Sequence, residues 1–150
     1  MKKSILTIFL ALILVVSVAC GKKDVEIDPG SLGEKLVQEI NFTDEMIHVH
    51  DDMIDSIYPM DFDKSKLVYI SGAAKAEELS IFEFDSQEDA DRGLEEIQAR
   101  LESQKETFSS YNPKEVQKLE NAIVKRLGNY IILCVSEDDK AEEIINNSLK

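Results

Sequence analysis

The sequence predicts an α+β fold, with a four-stranded antiparallel sheet made of two β-hairpins and packed by a long central helix and by N- and C-terminal helices. Two pairs of β-rich apolar runs predict the hairpins: residues 67–71 with 79–84, parted by Gly72 and a charged turn, and residues 122–127 with 130–136, parted by Gly128 and Asn129. A two-residue Gly-Asn connection between apolar runs marks a tight antiparallel turn. Between the pairs, Ala90, Leu94, Ile97, Leu101 and Phe108 recur at spacings of 4, 3, 4 and 7 along an otherwise charged segment. That stripe predicts an amphipathic helix from Gln87 to about Phe108. Hairpins segregated from helices indicate α+β rather than a parallel α/β sheet.

The chain begins with an address. Met1, Lys2 and Lys3 precede an apolar stretch over residues 5–16, interrupted only by Thr7, and Ser17, Val18, Ala19 and Cys20 follow. A charged start, an apolar centre and small residues at the end make a secretory signal peptide. As a helix, residues 5–19 would rise about 22 Å, short of the ~30 Å hydrocarbon layer. A permanent span is therefore the weaker reading. Ala19 before Cys20 resembles the lipobox at which bacterial processing attaches a diacylglycerol thioether, with palmitate-type chains, before cleavage. Ser17 stands in place of the usual Leu, and Ser17 with Ala19 suits an ordinary signal peptidase, so plain secretion is the alternative. The expected organisation is a removed signal peptide over 1–19, a lipidated Cys20 with a tether over 20–30 that ends in a Pro29-Gly30 break, and one α+β domain over 31–150.

Within that domain, Ser31 and Glu34 have capping-box spacing, and Leu32, Leu36, Val37 and Ile40 share a stripe, which predicts a helix from Ser31 to about Ile40. Residues 47–50 alternate like a strand, while Met53, Ile54 and Ile57 suit a helix. A helix from about Asp51 to Tyr58, ended by Pro59, is the favoured reading. Ser86 with Asp89 caps the long helix. Asn112, Pro113 and Glu115 supply an N-cap, a first-turn proline and a capping box for a short helix to about Leu119. Ser136 with Asp139 is expected to cap a last helix in which Ala141, Ile144, Ile145 and Leu149 share a face.

The 150 residues are 43% apolar and 31% charged, with 17 Lys and Arg against 30 Asp and Glu, a net charge of −13. A chain of this length and apolar content buries a real core. A negative field of this size repels phosphate backbones, which excludes nucleic acid as a partner and polybasic adsorption as a route to membranes. The expected partners are the membrane, through the lipid anchor, and an envelope protein or cationic ligand. Of the two cysteines, Cys20 would carry lipid and Cys134 lies in an apolar run, where a buried thiol is inert. No cofactor is expected beyond the diacylglycerol on Cys20.

His48 and His50, the two histidines, stand beside Asp51 and Asp52. On a strand both imidazoles would leave one face, as a divalent-cation site needs; on a helix they would diverge. A solvated polar edge is the plainer reading. Asp61, Asp63 and Ser65 copy the first ligand positions of a calcium loop, but Lys66 replaces its turn glycine and Gly72 its final glutamate. Glu77 and Glu78, before Leu79, are the acids to watch as acid or base in an envelope hydrolase, or else an exposed charged turn that blunts edge pairing. Tyr111 and Tyr130 flank turns, where a ring packs while its hydroxyl reaches outward; with the glutamates they are candidate binding residues. No phosphate loop or nucleophile elbow is present.

The order of motifs resembles a family: Ala19-Cys20-Gly21-Lys22-Lys23, then Tyr58 and Asp61, a strand closing at Gly72, Glu77-Glu78 before an apolar strand, a long helix leading to Tyr111-Asn112-Pro113, and Gly128-Asn129-Tyr130 with a strand leaving at Ser136. It is similar, over residues 42–145, to the bacterial lipoprotein family catalogued as domain of unknown function 4358, found mainly in Gram-positive anaerobes. Pro59 stands where that pattern has Gly. The resemblance implies an extracytoplasmic, membrane-tethered α+β domain on the outer face of the cytoplasmic membrane, and implies no activity or substrate.

Overall fold

The computed structural model describes residues 26–150. The expected signal peptide, Cys20 and most of the expected tether lie outside the described residues. In chain order the elements are α1 (Pro29–Glu39), β1 (Ile47–His48), α2 (Asp51–Ile57), β2 (Asp63–Ile70), β3 (Glu78–Phe84), α3 (Gln87–Tyr111), a 3-10 turn (Pro113–Glu115), α4 (Val116–Glu120), β4 (Ile123–Leu127), β5 (Tyr130–Val135) and α5 (Ala141–Ser148).

The class is α+β, and the sheet is antiparallel with order β1-β2-β3-β5-β4. It has five strands where the sequence predicts four. The two hairpins lie side by side through β3 and β5, and the added strand is β1, in which Ile47 pairs with Ile70 and His48 with Tyr69. The strand-like alternation of residues 47–50 is realised in only two paired residues, where β2 offers them an edge.

Helices cover both faces. All of β5 is buried. Its Ile131, Leu133 and Val135 pack with residues of α2, α3 and α4, among them Ile54, Ile97, Phe108 and Leu119. Its Tyr130, Ile132 and Cys134 pack with Leu32 and Leu36 of α1 and Ala141 and Ile145 of α5. A strand buried on both sides has no polar face to alternate with, so the run reads as continuously apolar. In β3 the same division sends Leu79 and Ile81 toward α1 and Phe82 and Phe84 toward α3. Phe82 and Phe84 are thus core residues.

Two close approaches set the layers. A Cβ on Gly93 of α3 would stand 2.3 Å from Phe84 Cζ, and one on Gly33 of α1 would stand 2.1 Å from Leu67 Cδ2. Gly128, at φ 60°, makes the β4–β5 turn in the left-handed region that its missing side chain permits.

Ser86 caps α3 as expected: its Oγ accepts from Asp89 N at 3.0 Å and donates to the Asp89 carboxylate at 2.7 Å. That helix continues past Phe108 to Tyr111. At α1, Asp28 is the cap, accepting from Gly30 N at 3.1 Å and from Ser31 Oγ at 2.7 Å, so Pro29 is a first-turn proline and not a break. Asn112 gives its side-chain amide to the Ala74 carbonyl instead of capping, and Glu115 turns to the Ala76 N–H. Ser136 does not cap α5, whose N-cap is Lys140: its carbonyl accepts from Ile144 N at 2.9 Å, and no side chain caps the helix. Among the described residues no helix is long and apolar enough to cross a membrane.

Candidate functional site

Glu77 and Glu78 stand at the entry of β3, where successive side chains leave on opposite sides. They are almost fully buried, 1% and 2% exposed, and the expected exposed charged turn is corrected. Two carboxylates can be buried here because each meets its own set of donors.

Glu78 points to the α3 layer. One of its oxygens accepts from the Tyr58 hydroxyl and from Ser80 Oγ at 2.7 Å. The other accepts from Arg100 Nε at 3.2 Å and Nη2 at 2.8 Å. The guanidinium lies over the Tyr58 ring, 4.9 Å from its centroid. Burial, and then the Glu78 charge, push the Tyr58 hydroxyl well above the ordinary tyrosine value. Burial alone would make Arg100 less basic, but Glu78 and Tyr58 outweigh it and hold the guanidinium above its usual value.

Glu77 turns the other way, accepting from Thr43 N at 2.9 Å and from Thr43 Oγ1 at 2.9 Å. Lys118 of α4, 3% exposed, approaches it at 3.4 Å, and also Glu115 at 3.0 Å and Glu137 at 3.4 Å. Burial by itself would lower the Lys118 value; the surrounding carboxylates, Glu115 first, raise it. Burial would likewise raise Glu115, but the Ala76 N–H, Lys118 and Lys75 outweigh it and hold that acid below the usual range.

These clusters border two openings. A cleft of about 350 Å³ lies between the β2–β3 turn and the C-terminal half of α3, with Lys75, Glu78, Arg100, Gln104, Thr107 and Tyr111 in its walls. A second cavity, about 460 Å³, lies between α4 and α5, with Lys118, Cys134, Glu137, Asp139 and Glu142 around it. Burial pushes the Cys134 thiol up to about 12, so a protonated, inert sulfur faces that cavity.

The structure brings Tyr111 together with both glutamates and leaves Tyr130 out. Tyr111 is 54% exposed at the cleft, its ring stacked on Phe108 at 5.1 Å and its hydroxyl donating to the Ala73 carbonyl. Tyr130, from the other end of β5, donates to Glu83 at 3.2 Å. His48 lies on β1 against the Tyr69 ring at 5.1 Å. His50 precedes α2 with Nδ1 3.4 Å from the Asp52 carboxylate, both exposed, and Asp51 is exposed in the first turn of that helix. Asp63, one of the residues that copy the start of a calcium loop, faces Lys66 at 3.7 Å. Among the described residues no group of three or more His, Cys, Asp or Glu is placed to hold a metal ion.

Sequence reasoning missed Arg100 and Lys118. Each had a signal: Arg100 follows Ile97 by one turn on the flank of the apolar stripe, and Lys118 follows Glu115 at i,i+3 beside the core residue Leu119.

The family model described as Domain of unknown function (DUF4358) matches residues 38–136. No curated protein and no solved structure matches the chain. The matched stretch runs from the end of α1 through β5 and so contains the whole sheet, both glutamates, Arg100, Lys118 and the cleft. The chain belongs to the family of domain of unknown function 4358.

Proposed function

We propose that this chain is a lipid-anchored extracytoplasmic domain that binds a ligand or partner at the cell envelope without covalent chemistry. One observation carries the noncatalytic part: the acids at the cleft are already occupied. A general acid or base must exchange a proton within hydrogen-bond reach of its substrate. Glu78 spends both oxygens on Tyr58, Ser80 and Arg100, and Glu77 spends both on Thr43 while facing Lys118. Carboxylates held in this way stiffen a site, and their oxygens are engaged before any substrate arrives. Anchoring through Cys20 is supported by the signal-like residues 1–19 and by the Ala19-Cys20-Gly21 sequence.

The full chain, expressed in a bacterium that processes lipoproteins, tests both parts. A fatty-acid probe should label the wild type and not Cys20→Ser, and the purified protein should sediment with isolated envelope material while releasing no soluble fragments. Unlabelled protein free in the medium would overturn the anchor; steady release of fragments would overturn the noncatalytic reading.

A further inference from the structure

We infer that the 350 Å³ cleft is a binding site for a neutral saccharide unit, with Tyr111 as its platform and Gln104 and Thr107 as its hydrogen-bonding wall. This deepens the binding reading above and rests on it.

Tyr111 is the first observation. A tyrosine more than half exposed ordinarily swings, but this ring is held at both ends, stacked on Phe108 and tied through its hydroxyl to the Ala73 carbonyl. An exposed aromatic immobilised before any ligand arrives offers contact area at little further cost in side-chain entropy. Such a flat apolar face suits the C–H face of a sugar ring.

Charge balance is the second. Arg100 is neutralised by Glu78, and Lys75 faces Glu115 at 3.7 Å. An anion would meet Glu78 in the wall and the net charge of −13 beyond it; a cation would meet Arg100 and Lys75. Neither sign is favoured.

The polar groups left over are the third. The Thr107 hydroxyl donates to the Ser103 carbonyl, which leaves its oxygen free to accept. With the Gln104 amide oxygen turned to Arg100 Nη2 at 2.6 Å, its NH2 group is left to donate. Donors and acceptors side by side match hydroxyls, which do both. The cleft volume lies at the lower end of the roughly 300–1,000 Å³ typical of small-ligand sites, which suits a single sugar unit of a longer chain.

The test is calorimetry and ligand-observed NMR on the full chain with neutral maltotriose and the N-acetylglucosamine trimer, beside charged glucuronate and glucosamine. At least one neutral trisaccharide should bind with Kd on the order of 1 mM. Tyr111→Ala should weaken that binding at least tenfold, Thr107→Val severalfold, and both variants should keep the wild-type circular dichroism. Neither neutral trisaccharide binding, a preference for a charged sugar, or binding indifferent to both variants would overturn the assignment. Loss of sugar binding alone, with envelope sedimentation intact, condemns this site; loss of both condemns the binding reading itself.

Discussion

Lys118 is buried among Glu77, Glu115 and Glu137, and it shows what a single side chain carries in this protein. A buried ion pair is a weak source of stability against well-packed apolar residues, but breaking one leaves an uncompensated charge. Lys118→Met keeps the apolar stem and deletes the ammonium, leaving Glu77 and Glu115 buried without it. The expected loss is about 3–5 kcal/mol, read from urea unfolding. Lys114→Met, at an exposed residue of the preceding 3-10 turn, should stay within about 0.5 kcal/mol of wild type. Equal effects of the two substitutions would mean that the cluster is solvated and the buried pairs are not held as described. Sequence alone could not assign these roles. Glu77-Glu78 beside a turn reads as a solvated charge pair, and a Lys on a short helix reads as surface, because burial of charge depends on partners far along the chain, such as Thr43 for Glu77 and Arg100 for Glu78.

At the scale of elements, the contact of α3 on β3 rests on the missing side chain of Gly93. Phe84 is 1% exposed and stacks on Phe62 at 6.0 Å, so it has little room to retreat from a new methyl group. Gly93→Ala gains up to about 1 kcal/mol of helix propensity but overpacks this contact, which typically costs about 1–3 kcal/mol. The net expectation is destabilisation, seen as a melting point lowered by several degrees; a raised one would mean that the two layers slide apart freely. Elements of this kind were legible in the sequence where a period ran long enough. The stripe from Ala90 to Phe108 gave α3, and Gly128-Asn129 between apolar runs gave the β4–β5 hairpin. The illegible parts are those decided by distant partners. β1 exists because β2 has a free edge, and Asn112 abandons its helix for the Ala74 carbonyl. Continuous apolar runs imply a sheet covered on both faces, but nothing local says that α1 and α5 cover one and α3 the other. The cleft was legible only as a suspicion about Tyr111 and the glutamates, since Arg100 and Gln104 look like ordinary helix polar positions.

For the whole molecule, the ion pairs fix the pH range in which the fold holds. Glu115, Glu83 and Asp138 are acids whose values lie below the ordinary ones in the folded state; the causes are the Ala76 N–H and Lys118 outweighing burial at Glu115, Lys64 at Glu83, and the Asn41 and Lys140 N–H groups at Asp138. A group depressed on folding stabilises the fold above its unfolded value and loses that contribution as pH falls through the folded one. Stability should therefore decline below about pH 4.5, the ordinary value for Glu, and continue to decline through the depressed values. On the alkaline side Tyr58 and Lys118 are raised, so their contributions are complete below the ordinary values of 10.0 and 10.5 and are lost as pH rises through the folded ones. Between these limbs the net charge of −13 repels itself, so added salt should raise stability near pH 7 even as it screens the exposed pairs. The measurement is the urea midpoint from pH 3 to 11 at low and moderate salt. A plateau between about pH 5 and 9.5 with both limbs present is expected, and Glu115→Gln should make the acid limb shallower, because it removes a group whose proton uptake drives it. A midpoint unchanged down to pH 3 would mean that these carboxylates are no better placed in the fold than in the unfolded chain, and the buried network around Lys118 would then have no energetic role.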